Sequence, residues 1–187
     1  MVNLGRVVVR QVVVVVPTIC RVISSEWSQL TPIHVGRVPL GQGTPERYVT
    51  VKDTNQPILR VDVHAYGPDC FAFEDAIIWR GNLIIGFGSH VHAIAITNES
   101  TLTVSLGNYF GHLYPTPEYL LIASGDRFFR MEPDRSILWK TEAIAIDGVV
   151  VHDPGPPVIR GAVELDPPGG WEPFTISVAD GRRIEMP

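Results

Sequence analysis

A chain of 187 residues, 45% hydrophobic and 19% charged, has enough apolar material for a core and reads as one domain, residues 1–187. Lys+Arg 15 against Asp+Glu 20 gives a formal charge of −5 with no basic block, which argues against nucleic acid and anionic membranes as partners. With 17 Gly and 16 Pro the chain is punctuated too often for long helices.

From the N-terminus, the first feature is the apolar run Val12 to Val16, preceded by Arg6 and Arg10. It is shorter than the roughly 7–15 residues of a signal-peptide core and far short of the ~20 of a membrane-spanning helix. Its β-branched residues suit a strand, expected to be covered on both edges, and the protein is expected to be cytoplasmic. The segment "TICRVISSEWSQL" has room for a helical turn or two; "YVTV" and "PILRV" read as strands. In "FAFEDAIIW", Phe71, Phe73, Asp75, Ile77 and Trp79 share one face of a strand. The turn "RGN" then leads to "LIIGFG", as in a hairpin. "HVHAIAI" and "TLTVSL" flank the turn "TNES", and "LGNYFGHLYPTPEY" follows as a loop. "YLLIAS", "RFFRME" and "SILWKTE" are separated by "GD" and "PDR", and "GVVVHD", "VIRGAVEL" and "WEPFTISV" close the series between Pro- and Gly-rich breakers.

Residues 83–94 align without a gap on residues 120–131, so that Leu83 meets Leu120, Ile85 meets Ile122 and Gly88 meets Gly125. With one residue of slip, "STLTV" lies over "SILWK", and residues 48–61 form a fainter third copy with "PILRV" in that place. The spacing suits a four-stranded blade. "YLLIASGDRFFRMEPDRSILWKTE" resembles a blade of the quinoprotein-type β-propellers, over about a third of the chain. The resemblance implies an all-β fold of antiparallel meanders of blade size, a small or partial propeller, with a β-sandwich or barrel as the alternative. It brings no functional residue with it.

Chemistry-bearing residues are few. His90 and His92 would lie on one face of a strand and could be two ligands of a divalent metal. The aligned copy has Arg127 and Phe129 there, so both are more simply strand positions. His64, His112 and His152, with Asp62 and Asp153, complete a scattered set that repeats could bring together. Ser89 and His90 are adjacent and are expected to point to opposite faces. Cys20 and Cys70 read as buried free thiols. Paired carboxylates would come from Glu74/Asp75, Asp147/Asp153 or Glu164/Asp166. The aromatic segment offers Tyr109, Phe110, His112 and Tyr114 as a binding surface on a rigid scaffold. The expected function is therefore a non-enzymatic interaction module, of adaptor, inhibitor or immunity type, with a protein partner and no cofactor. The alternative is a metal-dependent or hydrolytic enzyme using His90 and His92 with a ligand from another repeat.

Overall fold

The computed structural model describes residues 15–67, 73–166 and 169–185, and within them strands form four successive sheets. The first sheet holds β1 (Val16–Cys20), β2 (Ile33–Gly36), β3 (Arg47–Asp53) and β4 (Gln56–His64), with a 3₁₀ turn over Ser25–Gln29 after β1. The second is β5 (Glu74–Trp79), β6 (Asn82–Phe87), β7 (His90–Ala95) and β8 (Thr101–Ser105). The third is β9 (Phe110–Pro115), β10 (Leu120–Ser124), β11 (Phe128–Met131) and β12 (Ile137–Lys140). The fourth is β13 (Val149–Asp153), β14 (Val158–Asp166) and β15 (Gly170–Ser177). The last three sheets are antiparallel meanders, each strand paired with the next in sequence. The fold is all-β, in sheets of blade size, and none of the four closes into a barrel.

Tight turns set the hairpin registers. β3 joins β4 through Thr54 and Asn55 (φ 46° and 73°), and β5 joins β6 through Arg80 and Gly81 (φ 50° and 76°). Two successive positive-φ residues make the mirror-image turn whose twist matches that of the flanking strands. The β6–β7 and β10–β11 hairpins pair at the positions the sequence alignment superposes: Leu83 opposite Ile94 in one, Leu120 opposite Met131 in the other.

Packing explains why "LIIGF" and "LLIAS" are apolar throughout. Leu83, Ile85 and Phe87 of β6 pack toward the first sheet against Val49, Val61 and Val63, while Ile84 packs toward the third. Leu120 and Ile122 of β10 meet Ile84 and Val91 of the second sheet, while Leu121 and Ala123 join Phe174 and Ile159 of the fourth. The two middle sheets are thus buried on both faces, so their central strands lose the alternation expected of half-exposed antiparallel strands. β1, β5, β9 and β13 are neighbours in succession, bringing the first strands of the four sheets side by side.

Three expectations change or sharpen. First, among the described residues β1 is a terminal strand of its sheet, paired there only with β3. Its other near neighbour, β5, lies against it without forming a ladder, so the part of the valine run within the described residues has a neighbour on each edge and a ladder on one. Residues 1–14 lie outside the described residues. Second, the outer position of the first sheet belongs to β2, parallel to β4. "PILRV" consequently occupies a central strand and not the outer one that its alignment on "SILWK" assigned it, while "YVTV" is central as well. Third, the aromatic loop contains a strand, β9.

Candidate functional site

β9 decides which aromatics are available. Opposite it the register shifts between Ala123 and Ser124, which face His112 and Phe110, leaving Gly111 as a bulge. A bulge inverts the alternation of faces. Phe110 therefore turns inward with Leu113, while Tyr109, His112 and Tyr114 lie on the other side. Phe110 is 1% exposed and lies over Gly86, where a Cβ would fall 2.1 Å from its ring. It belongs to the core and not to a binding surface. Tyr114 is half-buried; its hydroxyl accepts a hydrogen bond from Val151 N–H at 3.2 Å, and burial pushes its pKa up. It fastens β9 to β13.

Tyr109 and His112 line an open cleft of about 390 Å³ with Phe73, Asp147, Glu164 and Trp171. Two glycines seat the aromatic walls. A Cβ at Gly125 would lie 2.5 Å from Tyr109 Cε1, and one at Gly148 would lie 3.0 Å from Trp171 Cη2. Gly148 also has φ +133°, a conformation other residues rarely adopt. Tyr109 donates its hydroxyl hydrogen bond to Asp147, and Gly148 N–H donates to the Gly125 carbonyl at 2.7 Å. The Phe73 ring lies 4.9 Å from that of His112 and 6.3 Å from that of Tyr109. Phe73 is 44% and Trp171 50% exposed, so two large apolar side chains stand open at this concavity. Of the carboxylates considered from sequence, Asp147 and Glu164 meet here, each with a different partner from the one its spacing suggested.

The histidines are held elsewhere. His92 is 1% exposed, with Nδ1 2.9 Å from Thr103 Oγ1. Burial, helped by nearby His90, lowers its pKa to about 3. His90 stacks on Tyr66 at 3.9 Å and lies 6.3 Å from the His92 ring. Ser89 is in the β6–β7 turn and not on a strand, so, contrary to expectation, its Oγ reaches His90 Nδ1 at 3.0 Å. His64 pairs with His34, Nε2 to Nδ1 at 3.3 Å, and its own Nδ1 is buried without a hydrogen-bond partner. Burial first, and then the His34 charge, lower the His64 pKa. His112 and His152 are exposed. Among the described residues no group of three or more His, Cys, Asp or Glu sits together as a metal-binding set. Cys20 is a half-buried free thiol near the Tyr48 carbonyl, its pKa raised by burial. Cys70 lies outside the described residues. Among those residues no helix is long and apolar enough to cross a membrane.

No protein-family model matches the chain, and no curated protein does. Among solved structures the chain is similar to one described as "KlHsv2 with loop 6CD replaced by a Gly-Ser linker". The TM-score is 0.52 at 13% sequence identity, over 73% of this chain and 44% of that one. The likeness is one of fold, and the chain spans less than half the length of that relative.

Proposed function

We propose that the protein is a non-enzymatic binding module that receives part of a partner protein in the cleft between β9 and the fourth sheet. The observation that carries this reading is the convergence of exposed Phe73 and Trp171 with Tyr109 on one concavity. Large aromatic side chains left open around a hollow mark recognition surfaces more often than chance exposure does. The scaffold suits that role, because the cleft walls come from strands and turns fixed by packing on both sides. Successive blade-sized sheets with adjacent first strands support a partial propeller-like arrangement. The free Cys20 thiol suits a reducing compartment such as the cytoplasm.

Trp171→Ala tests the reading. A central aromatic anchor is typically worth ~2 kcal/mol or more, so partner affinity should fall about thirtyfold with the far-ultraviolet dichroism unchanged. Affinity for the captured partner unchanged from the unaltered protein in both Trp171→Ala and Phe73→Ala removes the cleft from the reading. The 3.0 Å contact between Ser89 Oγ and His90 Nδ1 is the one observation that favours a hydrolytic alternative. That alternative requires Ser89→Ala to abolish turnover of an activated ester by the purified protein.

A further inference from the structure

The chemistry of the cleft specifies more than a hydrophobic hollow. Among the described residues its lining includes two carboxylates, Asp147 and Glu164, and neither Lys nor Arg. Among the described residues neither carboxylate has an ion-pair partner, although Arg47, Lys52, Arg60, Arg127, Arg130, Arg160 and Arg182 all do. The carboxylates also stand against aromatic surface. Asp147 accepts the Tyr109 hydroxyl. Glu164 Oε2 and Trp171 Cη2 lie 3.6 Å and 3.0 Å from the same point, the place a Gly148 Cβ would occupy.

We propose that the cleft takes the side chain of an arginine borne by a partner protein. This rests on the binding-module reading above and names what that module recognises. A cation is attracted by the faces of Trp, Tyr and Phe and is worth most over Trp. Carboxylates beside those faces add charge-assisted hydrogen bonds. Arginine meets both demands better than lysine, because its guanidinium is planar, weakly hydrated and carries five donors in a fork. A cleft of about 390 Å³ that opens at Phe73 and Trp171 leaves room for residues flanking the arginine. That favours a peptide-borne side chain over a free small cation. The formal charge of −5 draws a basic partner toward this surface.

The test uses three blocked peptides of one sequence, centred on arginine, lysine or citrulline, the last being the neutral isostere of arginine. Binding is followed by the Trp171 indole N–H resonance, assigned through Trp171→Phe. The arginine peptide should shift it saturably and bind about tenfold more tightly than the citrulline peptide, with lysine between them. Asp147→Asn with Glu164→Gln should remove that preference while thermal stability holds. Equal binding of the arginine and citrulline peptides overturns the arginine assignment but leaves a cleft that binds. Free arginine amide binding as tightly as the peptide overturns the protein-borne source. No shift of Trp171 with any probe overturns the proposal. If Trp171→Ala also leaves partner capture intact, the binding-module reading falls with it.

Discussion

His92 shows how much a single buried side chain can report. Its folded-state pKa of about 3 lies well below the ordinary value of 6.5. Above pH 6.5 the ring is neutral in both states and imposes no penalty. As the pH falls below 6.5, the unfolded chain takes up a proton that the folded chain refuses, so stability drops by up to ~1.4 kcal/mol per pH unit, down to about pH 3. Denaturant midpoints measured between pH 7.5 and 4.5 should therefore decline, and His64, shifted in the same direction by burial, adds to the slope. His92→Phe, which places here the residue type found at Phe129, should flatten the decline. An identical slope in that variant would remove His92 as its source. The sequence already showed both histidines as ordinary strand positions. It did not show the contact between Ser89 and His90, because a two-residue turn frees Ser89 from the alternation of a strand.

At the level of elements, glycines and turns carry the specific demands. Gly86→Ala places a methyl in the Phe110 ring and should cost about 1–3 kcal/mol in chemical denaturation. Adding Phe110→Leu should recover part of that loss, and no recovery would mean that the strain lies elsewhere. Thr54 holds φ 46°, which a β-branched residue resists. Thr54→Asn should stabilise the β3–β4 hairpin by roughly 0.5–1 kcal/mol, seen as a higher melting temperature. Most strands were legible as short β-rich runs between Gly and Pro breakers. β9 was not, since "FGHLYP" mixes Gly, His and Pro with aromatics, and its bulge destroys the period-two pattern. The parallel placement of β2 was equally hidden, because a parallel neighbour leaves no turn signature in the sequence.

Across the whole molecule, three apolar layers separate four sheets, and the middle two sheets are enclosed. Hydrogen exchange should be slowest for residues 83–85 and 120–122 and fastest along β1 and β15, at sheet edges. Comparable protection of β15 and β10 would contradict that ranking. The cleft exists only at this scale. Tyr109 and His112 could be picked out locally, but Phe73, Asp147, Glu164 and Trp171 come from distant segments. Only the packing of the second, third and fourth sheets in succession brings them together, and no local pattern encodes it.

The threading of the first sheet has a consequence for how the protein is made. Among the described residues β1 has no ladder partner until β3 is synthesised, and β2 none until β4. The next two sheets are hairpins whose partners emerge one after another from the ribosome. Vectorial synthesis thus holds the earliest segments waiting with unpaired backbone, whereas each later meander finds its neighbour as it appears. Among the described strands, β1 and β2 are the ones most dependent on protection until residue 64 has left the exit tunnel.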